Sequence, residues 1–148
     1  SPGYKSDINQ LVKQISKKYH LPVIAFNAKS YYTKGMNFSS FQLPELENPS
    51  TYLQLIQNAT LVITTSFHGT IFSTIFRKKF WTIKNGAMYE TDDRVITLMQ
   101  NLDLEERLIP IPFDSNFDYL QEKDYTQYEI LLKQLQKVSK EYLNQNLK

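Results

Sequence analysis

The segment Ser66-Phe67-His68-Gly69-Thr70 sets one imidazole between hydroxyl residues and a glycine. Histidine is the side chain that ordinarily exchanges a proton near neutral pH, so it suits general acid or base work. Gly69 beside it lets a ligand approach the backbone. The same pattern also describes a histidine that satisfies loop carbonyls next to a glycine that makes the turn. Residue type and spacing leave both readings open.

The elements around this segment are easier to read. Leu61, Val62 and Ile63 form an apolar, β-branched run that stops at Thr64, Thr65 and Ser66, as a buried strand ending in a polar loop would. Beyond Gly69 the spacing changes to Ile71, Phe72, Ile75 and Phe76, which predicts a helix with Thr70 in its first turn. A strand that runs into a helix start places the intervening residues at the carboxyl end of the sheet. Ligands of open α/β sheets bind there, and the free N–H groups of the helix favour an anion.

Along the rest of the chain, Ile8, Leu11, Val12, Ile15 and Tyr19 predict an amphipathic helix over residues 7–19, with His20 at its C-terminal end. Pro22 to Phe26 reads as a short buried strand. The stretch 27–48 is rich in aromatic residues without a sustained period, and these residues either stack on sugar rings or pin a loop to the core. Pro49 or Ser50 starts a helix to Ala59 with Tyr52, Leu53, Leu55 and Ile56 on its buried side, Phe80 to Ile83 reads as a strand, and Lys84-Asn85-Gly86 as a turn. Asp92 or Asp93 caps a helix carrying Val95, Leu98, Met99 and Leu102. This puts Arg94 in a first turn, where a cation opposes the helix dipole unless a negative charge is near. Leu108 to Pro112 is at most an edge segment because its prolines lack ladder donors. Tyr125 to Leu147 carries a helical apolar stripe from Tyr128 to Leu143, expected to pack across the domain, with a partner-binding helix as the alternative. Strands alternating with helices predict an α/β fold: a Rossmann-like parallel sheet with helices on both faces.

Composition narrows the function. A chain of 148 residues with 41% hydrophobic content holds one compact domain, so residues 1–148 are read as a single unit. A net charge of +2 without a basic block offers no electrostatic basis for nucleic acid or an anionic membrane. The absence of cysteine excludes disulfides and thiolate chemistry and fits a cytoplasmic location, and no metal-ligand spacing is present. No apolar run is long enough for a transmembrane helix.

The run NATLVITTSFHGTIFSTIFRKKF, preceded by PSTYLQLIQ, resembles the signature of the polysaccharide pyruvyl transferase family, "adlViTdSFHGt.FsiiF.kPF". Weaker similarity continues through Asp93-Arg94-Val95, Leu104-Glu105-Glu106-Arg107 and Ser139 to Leu143. The SFHGT segment is its most specific part. The resemblance implies the C-terminal half of a two-domain enzyme of the GT-B type. Such enzymes move the enolpyruvyl carbons of phosphoenolpyruvate, a donor substrate and not a cofactor, onto sugar hydroxyls of a polysaccharide as a ketal. It implies His68 as the proton donor and Ser66, Gly69 and Thr70 as a cradle for an anion. Arg94 would be a mobile charge closing on that anion, and Lys78 a matching family lysine.

Two positions depart from the pattern. A branch of the family with an "RLH" motif carries arginine where this chain has Ser66, and many relatives carry proline at Lys79. The resemblance further implies an N-terminal half that presents the saccharide acceptor, without which these residues are expected not to turn over. Two alternatives stand beside it: a GT-B glycosyltransferase half using a nucleotide sugar, and a non-catalytic saccharide- or protein-binding module.

Overall fold

A computed structural model describes residues 2–26, 48–84 and 93–146. Its core is a three-stranded parallel sheet of β1 (Val62–Thr64), β2 (Phe80–Ile83) and β3 (Leu108–Ile109), in that spatial order. Val62 pairs with Phe80, and Thr82 with Leu108. Around it stand α1 (Pro2–Tyr19), α2 (Pro49–Asn58), α3 (Phe67–Ile75), α4 (Asp93–Asn101) and α5 (Thr126–Asn146), with a 3₁₀ turn at Glu105–Arg107 before β3.

Period-two alternation sends successive strand residues to opposite faces, and here both faces are buried. Leu61, Ile63, Trp81, Ile83 and Ile109 join Leu11 and Ile15 of α1 on one side. Val62, Phe80 and Leu108 join Val95 and Met99 of α4 and Tyr128 of α5 on the other. This is the α/β, Rossmann-like architecture that the sequence predicts.

α1 ends where His20 turns left-handed, with φ 55°, while the Leu21 N–H reaches back to the Ser16 carbonyl at 3.1 Å. That is the helix-terminating role read from its position. Asn48 caps α2 by accepting the Thr51 N–H at 2.8 Å, with Pro49 in the first turn where a missing N–H costs nothing. β3 is a two-residue edge strand that stops at Pro110, as its prolines require.

Two expectations are corrected, at residues 22–26 and in α5. Residues 22–26 form no continuous strand. Ile24 is a single bridge residue and 49% exposed, consistent with a run that opens on a proline lacking a ladder donor. α3 packs through a face of small residues. Gly69, Thr70, Ser73 and Thr74 are buried, and Ile75 is 49% exposed. Small side chains let the helix sit close to the sheet, and their hydroxyls find partners locally, as Ser73 Oγ does on the Gly69 carbonyl at 2.7 Å. Lastly, α5 packs along its first turns only. Tyr128 is buried, whereas Leu135, Val138, Tyr142 and Leu143 are 45%, 63%, 64% and 54% exposed. The aromatic-rich stretch, apart from Asn48, the turn residues Asn85 and Gly86, and the capping choice at Asp92 lie outside the described residues, as does the side chain of Asp93.

Candidate active site

The site is built where β1 ends and α3 begins. Ser66 has extended backbone angles and is the N-cap of α3, its Oγ accepting the Gly69 N–H at 3.0 Å. The Thr70 N–H already bonds the Ser66 carbonyl at 3.1 Å. The amides of Phe67 and His68, first and second in the helix, have no intrahelical acceptor by geometry. α3 therefore starts three residues earlier than its apolar periodicity suggests, and His68 belongs to its first turn and not to a preceding loop.

The His68 ring is exposed to solvent. It meets Phe67 edge-on, with centroids 5.7 Å apart, and lies 6.4 Å from Phe72 one turn along. Arg94, exposed in the first turn of α4, places its guanidinium carbon 5.1 Å from the centre of the same Phe67 ring. Phe67 thus separates an imidazole from a guanidinium at the carboxyl end of the sheet. The tertiary fold joins these two residues although 26 positions divide them.

Beneath this surface lies a group of hydroxyls. Thr64 Oγ1 and Ser66 Oγ are 3.3 Å apart, and the Ser66 N–H donates to Thr64 Oγ1 at 3.2 Å. Tyr52 reaches over from α2, its ring 6.1 Å from that of Phe72. Gly69 makes this convergence possible. A Cβ there would stand 2.1 Å from Thr64 Oγ1 and 2.9 Å from the Tyr52 hydroxyl. Burial pushes the Tyr52 phenol above its ordinary pKa, opposed more weakly by the nearby Ser66 side chain, so the group keeps its proton at physiological pH. Sequence reading assigned Tyr52 to the apolar side of α2. The available signal was a hydroxyl on that stripe, and only the packing of α2 on α3 shows where it points.

The other residues singled out in the sequence have structural partners. Thr70 is fully buried, its Oγ1 donating to the Ser66 carbonyl at 2.9 Å and lying 2.8 Å from Thr82 Oγ1 on β2. Lys78 sits at the opposite, amino end of the sheet, where its Nζ holds the Ala59 carbonyl at 3.0 Å and closes the connection from α2 to β1. Its own carbonyl accepts the Tyr125 hydroxyl at 2.5 Å. Lys79, where relatives carry proline, pairs with Glu122 at 3.2 Å. The structure therefore brings Ser66, His68, Gly69 and Arg94 to one place, adds Tyr52 and Thr64, buries the Thr70 side chain beneath them, and separates Lys78 from them.

Among the described residues no group of three or more His, Cys, Asp or Glu is gathered as a metal site, and no helix is long and apolar enough to cross a membrane. What the arrangement offers is a proton-exchanging ring, two helix-start amides, a cluster of neutral hydroxyls and one cation. That set suits an anionic substrate that must be protonated.

No curated protein and no solved structure matches the chain. The family model described as polysaccharide pyruvyl transferase matches residues 3–86, a span that runs from α1 through the end of β2 and includes the whole β1–α3 corner. It begins well before Pro49, where the motif resemblance starts, and ends before Arg94. With more than half of its length inside that match and its fold built around the same corner, the chain belongs to the polysaccharide pyruvyl transferase family.

Proposed function

We propose that this chain is the donor-binding half of a polysaccharide pyruvyl transferase, taking phosphoenolpyruvate and delivering its three-carbon unit to sugar hydroxyls of a cell-surface or exopolysaccharide. The single observation that carries this reading is the exposed His68 in the first turn of α3, beside free helix-start amides and with Arg94 across Phe67.

In this mechanism a phosphate or carboxylate oxygen of phosphoenolpyruvate lies at the Phe67 and His68 amides, where the partial positive charge of the helix start favours it. Arg94 supplies the full positive charge. His68 gives its proton to the methylene carbon, which becomes a methyl group, and the adjacent carbon gains oxocarbenium character. A sugar hydroxyl adds to that carbon and returns a proton to the imidazole, the carbon–oxygen bond to phosphate breaks, and a second hydroxyl closes the ketal, its proton leaving with the phosphate. Ser66 in place of the arginine of the "RLH" branch means that a neutral donor and the helix start do part of the work a second cation does there.

The acceptor is assigned to a separate N-terminal half, so turnover is a property of the complete protein. Phosphate release from phosphoenolpyruvate in the presence of a saccharide acceptor tests the reading. His68→Asn, nearly isosteric but unable to act as an acid, should reduce the rate by about 10²–10⁴-fold while phosphoenolpyruvate still binds. Wild-type turnover by that variant would reject His68 as the acid. A response to nucleotide sugars with none to phosphoenolpyruvate would favour the glycosyltransferase alternative.

A further inference from the structure

We propose that Lys84 is a second cation of this site, reaching from the end of β2 to an anionic oxygen of the donor substrate. The proposal rests on the functional reading above and adds to it a residue that the sequence pattern places only in a turn.

Register and alternation lead to it. Thr64 pairs with Thr82, so two further residues along β2 bring Lys84 level with Ser66, the N-cap of α3. Lys84 still belongs to the ladder, its N–H donating to the Ile109 carbonyl at 2.7 Å. Phe80 packs on the face shared with Phe67 and Val95, whereas Trp81 and Ile83 pack on the face covered by α1. Thr82 shares the face of Phe80, since its Oγ1 lies 2.8 Å from Thr70 Oγ1 of α3. Alternation puts Lys84 on that face too. From Thr82 to Lys84 the strand advances about 6–7 Å. α3 runs antiparallel to β2, and stepping back from Thr70 to Phe67 covers about 4–5 Å in the same direction. The Lys84 stem therefore starts level with the first turn of α3, where His68 stands and where Arg94 lies across Phe67.

Charge supplies the reason. A phosphate and a carboxylate together carry about −2.5 to −3 at neutral pH. The start of α3 offers roughly +0.5, Arg94 adds one full charge, and Ser66 is neutral. A lysine ammonium meets an anionic oxygen as a point charge, without the fixed geometry an arginine fork requires. Lys84 is exposed, and its side chain has no hydrogen-bond or ion-pair partner among the described residues. Lysines at the amino end of the sheet are engaged by the protein itself: Lys78 by the Ala59 carbonyl, Lys79 by Glu122 and Lys123 by Glu106.

The test is a calorimetric titration of phosphoenolpyruvate into the complete protein, with melting temperatures recorded in parallel. Lys84→Met keeps an unbranched stem and removes the charge. It should weaken binding roughly tenfold, as loss of a hydrogen bond between charged groups does, with an unchanged melting temperature. Lys84→Arg should recover most of that loss. Lys79→Met removes the same charge from the opposite end of the sheet and should leave affinity within about twofold, because exposed charges beyond a Debye length are screened. Wild-type affinity in Lys84→Met, binding by Lys84→Arg no tighter than by Lys84→Met, or equal losses in Lys84→Met and Lys79→Met would overturn the proposal even if His68→Asn is inactive. A wild-type protein that does not bind phosphoenolpyruvate would overturn the proposal and the functional reading together.

Discussion

α3 is nine residues long, and its two ends are chemically opposite. At the C-terminal end Arg77 donates to the Thr74 and Ile75 carbonyls at 3.1 and 2.8 Å and to Glu129 at 3.0 Å. Tyr128 reaches Thr74 Oγ1 at 3.1 Å, and the Tyr125 hydroxyl donates to the Lys78 carbonyl just beyond the helix. The helix dipole there is neutralised by the protein itself. At the N-terminal end Ser66 satisfies one amide, uncharged hydroxyls stand nearby, and no acidic residue occupies the first turn. A helix finished at one end and left open at the other points its unmet charge toward a ligand. The same amino end of the sheet also buries Arg107, whose guanidinium carbon lies 4.4 Å from the Trp81 ring centre and whose Nη2 donates to the Gln121 carbonyl at 3.0 Å. Cations there hold elements together, whereas His68 and Arg94 at the carboxyl end are exposed.

This contrast predicts different costs. Gly69→Ala should give the largest, about 2–3 kcal/mol of stability together with loss of phosphoenolpyruvate binding, because a Cβ at 2.1 Å from Thr64 Oγ1 forces α2, β1 or α3 to shift. A chemical denaturation curve of the variant checks it, and a neutral result would show that the hydroxyl cluster is loosely packed. Arg77→Ala at the closed end should cost less, about 1 kcal/mol, through lost carbonyl caps and a half-exposed ion pair, and should leave phosphoenolpyruvate affinity within twofold. If Arg77→Ala instead weakened ligand binding as strongly as a change at the open end, the division of labour along α3 would be wrong.

Much of the architecture was legible because burial on both faces leaves a plain mark. The β-branched run at 61–63 and the Phe80–Ile83 segment read as strands for that reason. The start of α3 was misplaced because periodicity begins only at Ile71, Gly69 resembles a breaker, and Ser66 caps without the acidic partner that usually marks a capping box. The buried face of α3 leaves no mark in the sequence, since Gly69, Thr70, Ser73 and Thr74 carry no apolar signal. The stripe on α5 was correct as a pattern, but a stripe does not state how much of it has a partner, and only the turns around Tyr128 to Leu132 do. His68 was visible as a lone imidazole next to a glycine. Its neighbours Tyr52 and Arg94 come from helices far away in sequence, so their convergence was not readable from spacing.

The most direct measurement is solvent deuterium incorporation during transfer by the complete protein. In deuterated water the ketal methyl group should carry one deuterium per pyruvyl unit transferred, delivered by the exchangeable position on His68, and His68→Asn should lose phosphate release and incorporation together at an unchanged melting temperature. Transfer by His68→Asn at the wild-type rate, with the methyl group still labelled, would contradict the assignment of that ring as the acid.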